Sequence, residues 1–175
     1  TGAGIAPQKI RDVWGVIKAY TTRVGEGPFP TELFDQDGET LRQVGHEFGA
    51  TTGRPRRCGW FDAVAGRYAC MVDGVNKLAV TKLDVLDSFD KIGVCVAYEI
   101  DGKVTKEFPA SVEELAAARP VLEWLPGWKQ DISGVSSYDE LPENAKKYLE
   151  RITELVDSEL AIVSVGPRRD QTFEI

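Results

Sequence analysis

Two short apolar runs constrain the fold more than anything else in the chain. Leu78-Ala79-Val80, inside Lys77–Thr81, and Leu160-Ala161-Ile162-Val163 are bounded by polar residues and suit buried strands. Each run empties into a polar turn, Thr81-Lys82-Leu83-Asp84 after the first and Ser164-Val165-Gly166-Pro167 after the second. A longer strand is expected over Ile92–Ile100, turning at Asp101-Gly102 into a partner over Val104–Phe108, with a last edge strand over Thr172–Ile175. Helical spacing is read over Gln8–Tyr20, where Ile10, Val13, Trp14, Ile17 and Tyr20 make one stripe. Further helices are expected over Gly38–Phe48, over Trp60–Gly74 with Phe61, Val64, Tyr68 and Met71 on one side, and over Val112–Arg119. Asp62 is placed to cap the second of these. The clearest helix opens at Leu141-Pro142-Glu143 and buries Ala145, Tyr148, Leu149, Ile152, Leu155 and Val156. Leu122–Lys129, with two tryptophans, reads as a loop. The expectation is one α/β domain over residues 1–175, a mixed sheet with flanking helices.

A chain of 175 residues is long enough for one proper core. A formal net charge of −7 argues against a nucleic-acid partner, which calls for a broad basic face. Cys58, Cys70 and Cys95 are widely spaced and odd in number, so neither a disulfide framework nor a zinc site is expected, and a reducing cytoplasm fits. No apolar run is of membrane-spanning length and no signal-peptide core is present, so no membrane partner is expected. The opening Thr1-Gly2-Ala3-Gly4-Ile5-Ala6-Pro7 has no initiator Met and reads like the interior of something larger.

Against that acidic background stands Gly49-Ala50-Thr51-Thr52-Gly53-Arg54-Pro55-Arg56-Arg57-Cys58-Gly59-Trp60. Gly53, Pro55 and Gly59 argue for a loop. Guanidiniums grip carboxylate or phosphate oxygens two at a time, and Thr51, Thr52 and the loop N–H groups add neutral donors. The same spacing also fits a solvated basic turn. Upstream, Thr21–Pro30 is an irregular Gly/Pro loop in which Arg23 serves either an anion or a turn.

Ligands of α/β sheets gather beyond strand carboxyl ends. There, the Asp84 carboxylate is suited to accept from guanine N1–H and the 2-amino group, with the Lys82 stem lying across the base. If the two apolar strands are neighbours, the Ser164 turn forms the second wall and its hydroxyl meets the guanine O6. A surface ion pair at a strand end is the alternative. His46, the only histidine, has no nucleophile or metal set around it and is assigned a structural or surface role. No phosphate-binding Gly-rich loop, nucleophile triad or metal-ligand spacing is present, so no catalytic or metal residue is expected within these residues.

Taken in order, five segments resemble adenylosuccinate synthetase, specifically its C-terminal portion. They are Thr22–Gly25 continuing through Gly27–Leu33, Glu47–Arg54, Thr81–Asp87, Pro126-Gly127-Trp128 and Ser164–Pro167. The resemblance implies a C-terminal fragment of a larger P-loop-related α/β synthetase fold, active in purine biosynthesis. It implies GTP-dependent ligation of L-aspartate to IMP, giving adenylosuccinate, GDP and phosphate, with GTP as co-substrate and a homodimeric whole enzyme. Phosphorylation of the IMP 6-oxygen comes first, and the aspartate amine then displaces phosphate. Magnesium is also implied, with ligands in the N-terminal part that lies outside this sequence. By the same resemblance Ala50, Thr51, Thr52, Gly53, Arg54, Pro55 and Arg56 recognise aspartate. Arg54 and Val24 face IMP, while Arg56, Lys82, Leu83, Asp84, Ser164, Val165 and Gly166 face GTP. These residues alone are expected to lack synthetase activity and to leave some apolar surface uncovered. A stand-alone guanine-nucleotide-binding domain, and a structural domain docking an acidic protein surface, are the competing readings.

Overall fold

The computed structural model describes residues 2–175; Thr1, at the head of the opening loop, lies outside them. The chain starts with a single 3-10 turn at Pro7–Lys9 and enters strand β1, Trp14–Lys18. The expected helix over Gln8–Tyr20 is therefore absent. Its apolar residues are largely β-branched, and they satisfy their backbone by pairing in parallel with a later strand rather than with themselves. Gly15 belongs to that contact, since a Cβ there would lie 2.9 Å from a Val75 methyl.

Strand β2, Thr21–Arg23, follows, and helix α1 spans Gln36–Val44. The Asp35 carboxylate caps α1, accepting from the Asp37 and Gly38 N–H groups at 3.1 and 3.2 Å. Strands β3 (Arg57–Gly59) and β4 (Phe61–Asp62) lead into helix α2, Ala63–Asp73, which begins at the expected Asp62 cap and ends at Gly74 with φ +65°. The stripe differs from expectation: Val64 and Cys70 are buried on α2, whereas Tyr68 and Met71 face out. Tyr68 instead stacks on Phe108, ring centroids 4.8 Å apart.

Strand β5, Lys77–Thr81, is followed by strand β6, Lys91–Ile100, and the short return β7, Lys103–Thr105. After helix α3, Val112–Ala117, the segment read as a tryptophan loop is strand β8, Arg119–Pro126. Pro120 and Pro126 sit near and at the ends of an edge strand that pairs only with β6, where a missing N–H costs little. Trp124 lies opposite Gly93, and the ring of Trp60 rests on that glycine, edge-on to Trp124.

Helix α4, Glu143–Val156, buries Ala145, Tyr148, Leu149, Ile152 and Val156 as its spacing requires. Strand β9, Glu159–Ser164, and the edge strand β10, Thr172–Glu174, complete the fold. The first sheet runs β1-β5-β9-β10, with β1, β5 and β9 parallel and β10 antiparallel. β2 and β3 form a two-stranded ribbon, and β4, β6, β7 and β8 form a second four-stranded sheet. Helices α2 and α4 pack on each other, α2 also against β6 and α4 against β9. One core joins these layers, from Leu78, Val80 and Val163 of the first sheet to Ile92 and Val94 of the second. Burial of Cys58, Cys70 and Cys95 makes all three small core residues. Val16 on the outer strand β1 (73% exposed) and Phe34 (89% exposed) leave apolar surface in solvent. No described helix is long and apolar enough to cross a membrane.

Candidate functional site

The parallel pairing of β5 and β9 sets the site. Val80 lies opposite Val163, so the turns after Thr81 and after Val163 leave the same end of one sheet, side by side. The first turn folds at once into a 3-10 turn, Leu83–Leu86, made possible by Lys82 with φ +60°. Leu83 is fully buried, while Asp84 is half-buried in the turn. Burial raises the Asp84 carboxyl pKa above its ordinary range, only partly offset by its own backbone N–H and by Lys82. Asp84 Oδ1 is buried without any hydrogen-bond partner, one of two such side-chain oxygens among the described residues. An orphan acceptor of that kind is uncommon in a folded protein.

The second turn is built tightly. Ser164 Oγ donates to the Gly166 carbonyl at 2.9 Å, so its one proton is engaged within its own turn and, contrary to expectation, is not free to meet a guanine O6. Val165, like Leu83, is fully buried. Its N–H donates to the Gln171 carbonyl at 2.9 Å. The Gln171 side chain, 6% exposed, donates to the Ser133 carbonyl at 2.8 Å and lies directly against Gly166, where any Cβ would overlap its amide. Gln171 carried no sequence signal beyond its position in a strand-entry turn.

The arginine loop is a hairpin-like excursion. Gly49 and Arg54 close it through a 2.8 Å N–H to carbonyl bond, and Gly53, with φ +65°, donates to the Gly49 carbonyl at 2.8 Å. Ala50, Thr51, Thr52, Gly53, Arg54 and Pro55 are exposed at its tip. Its three guanidiniums divide their work. Arg57 pairs with Glu32 and donates to the Gly25 and Gly27 carbonyls, at 3.2 and 2.8 Å. With Arg23, which donates to the Glu26 and Pro28 carbonyls, it shapes the 24–28 loop rather than awaiting an anion. Arg54 makes no ion pair among the described residues. Arg56 Nη1 donates to Glu47 Oε2 at 2.8 Å. Because Arg23 is paired with Arg57 across the β2–β3 ribbon, Val24 and Arg56 are the next residues out at one end of it, and Val24 is 76% exposed.

Glu47, unremarked in the sequence except as part of a motif, is the electrostatic centre of this face. It is fully buried and accepts from Lys18 Nζ (2.8 Å), Tyr20 Oη (2.6 Å), Arg56 Nη1 (2.8 Å) and Lys82 Nζ (3.1 Å). Burial alone would raise its pKa, but the donors from Lys18, Tyr20, Arg56 and Lys82 outweigh it and hold the carboxyl down at about 2. Lys82 Nζ also donates to the Gly45 carbonyl. The lysine is thus anchored by its head at the base of the arginine loop. His46, exposed and with φ +50°, carries none of this network.

Comparison with known proteins places the chain in one family. The profile of the adenylosuccinate synthetase family matches residues 1–173. Adenylosuccinate synthetase of Trichlorobacter lovleyi is 59% identical over 175 residues, covering 100% of this chain and 41% of the relative. That of Carboxydothermus hydrogenoformans is 60% identical over 172 residues, covering 98% of this chain and 40% of the relative. The solved structure of fully ligated adenylosuccinate synthetase from Plasmodium falciparum superimposes with a TM-score of 0.93 at 41% identity, over 99% of this chain and 42% of that one. This chain therefore spans about 40% of the length of the curated relatives it matches, and it belongs to the adenylosuccinate synthetase family.

Proposed function

We propose that this chain supplies the guanine pocket and the aspartate- and IMP-facing arginine loop of a GTP-dependent IMP–aspartate ligase. The orphaned Oδ1 of Asp84, at the mouth of two adjacent parallel strands, carries the reading. An ionised carboxylate there accepts from guanine N1–H and the 2-amino group, a pair of donors that adenine does not present. The Ser164 turn then stands as the opposite wall, with Gly166 and the backbone of Leu83 and Val165 closing the slot. The stem of Lys82 covers the base while its ammonium stays on Glu47.

On the other side of Glu47, exposed Arg54 and the loop donors Thr51 and Thr52 face the carboxylates of L-aspartate, with Ala50, Gly53 and Pro55 shaping the loop. Arg54 and Val24 border the IMP ribose, and Arg56 stands between aspartate and GTP. The role of these cations is to hold the amino acid and neutralise charge as GTP phosphorylates the IMP 6-oxygen and the aspartate amine displaces phosphate. The groups that drive phosphoryl transfer are assigned to the part of the enzyme's length that this chain does not span, and the homodimer to the whole enzyme. For magnesium, the described residues contain no group of three His, Cys, Asp or Glu placed to hold a metal ion, so none of them is assigned to it.

Calorimetric titration of this chain with GDP, ADP and L-aspartate tests the reading. Binding that prefers GDP to ADP is expected; equal affinity for the two nucleotides, or none for either, would refute the guanine pocket.

A further inference from the structure

Arg56 and Lys82 belong to different turns, one following α1 and the other following β5, yet their cationic heads meet on one carboxylate. Arg56 takes Glu47 Oε2, while Lys82 shares Oε1 with Lys18 and the Tyr20 hydroxyl. Three positive charges thus divide one negative charge that has no contact with water. The backbone is tied to the same point. The Arg56 N–H donates to the Glu47 carbonyl at 2.9 Å, Lys82 Nζ donates to the Gly45 carbonyl, and Arg42 Nε donates to the Arg56 carbonyl at 3.1 Å. Neither cation can leave without changing the charge that the other feels, and neither is fully buried, so each is open to an approaching anion.

We propose that Glu47 is a positioning residue that couples the arginine loop to the Lys82–Asp84 turn, so that occupation of one changes the placement of the other. Assigning those turns to aspartate and guanine nucleotide rests on the function proposed above; the coupling itself rests on the shared carboxylate. Such coupling is reciprocal by thermodynamic necessity. An anion that draws Arg56 away leaves Glu47 with two lysines and a firmer hold on Lys82, and a ligand that shifts Lys82 has the converse effect on Arg56. The magnitude expected for groups in one hydrogen-bonded network is a change of at least about threefold in local opening.

Amide hydrogen exchange on the ligand-free chain tests this without any ligand. Lys82→Met is expected to change exchange at Gly49, Gly53 and Arg56 by at least about threefold. Arg56→Met is expected to do the same at Val85, whose N–H bonds the Lys82 carbonyl. Glu47→Gln should loosen both segments together while the β6–β8 pairing keeps its protection. If either single variant alters only its own turn, or if every effect is matched in β6 and β8, the coupling is overturned; the two lysine and arginine variants decide this even if Glu47→Gln fails to fold. Added GDP should change exchange over residues 49–56 in the wild type and not in Glu47→Gln. GDP that changes no amide anywhere speaks against the proposed nucleotide site, and the ligand-free comparison still decides the coupling.

Discussion

Val80 and Val163 face each other in parallel register, and this one pairing puts Asp84 and Ser164 at the same end of one sheet. The strands come from segments far apart in sequence, so each half of the proposed slot is meaningless without the other. Val80 and Val163 are both fully buried, and a register slip of one residue would turn Val163 to the half-buried face of Leu160 and Ile162. The burial of the two valines therefore holds the two turns level.

The Ser164 turn depends on having no side chain at Gly166. A Cβ there overlaps the Gln171 amide, which would have to give up its 2.8 Å bond to the Ser133 carbonyl. Gly166→Ala is expected to cost about 1–3 kcal/mol in urea unfolding. Adding Gln171→Ala should recover part of that loss, because the two changes act on one contact.

Tyr20 is the one uncharged donor to Glu47, and its hydroxyl fits against Gly45, where a Cβ would overlap it. Burial first, and the bond to Glu47 second, keep the phenol protonated far beyond its usual range. Tyr20→Phe is expected to lower unfolding free energy by about 1.5–3 kcal/mol, the cost of a hydrogen bond to a charged group. In a Glu47→Gln background the same change should cost clearly less, as a double-mutant cycle would show.

Asp87 gives a pH dependence of its own. Burial lifts its carboxyl to about 6, against the 2.6 Å Trp128 Nε1–H and 3.0 Å Ile132 N–H bonds that favour the ionised form, with Asp84 and Asp131 adding to the rise. Because the folded value exceeds the unfolded one of 3.8, this group's contribution to stability is complete below that value and is lost as pH rises through about 6. Tryptophan fluorescence followed by pH should show a step with its midpoint near 6 that disappears in Trp128→Phe.

Much of the fold was legible because buried apolar runs and capped helices announce themselves locally. Lys77–Thr81, the stripe of α4 and the Asp62 cap needed no tertiary knowledge. Trp14–Lys18 was misread because apolar spacing is read locally, whereas this strand takes its hydrogen bonds from β5, about 60 residues away in the chain. Leu122–Lys129 was read as a loop, yet Arg119–Pro126 is an edge strand, a place where proline is tolerated and whose partner β6 lies elsewhere in the chain. On the proposed site, the arginine cluster, the Lys82–Asp84 turn and Ser164 stand out by residue type alone. Glu47 does not, since a lone glutamate becomes a hub only when Lys18, Tyr20, Arg56 and Lys82 converge on it from four separate segments. Of the two readings open for Arg23, an anion or a turn, the turn holds, while Arg57, one of the three clustered guanidiniums, is spent on Glu32 and the Gly25 and Gly27 carbonyls.

The most direct test exchanges the chemistry of Asp84 without changing its shape. Calorimetry on Asp84→Asn should show GDP affinity reduced by roughly 2–5 kcal/mol, while xanthosine diphosphate, whose 2-oxo group accepts where guanine donates, binds better than it does to the wild type. Unchanged GDP affinity in Asp84→Asn would contradict the account, because the unpaired carboxylate oxygen at the end of β5 would then have no part in reading the base.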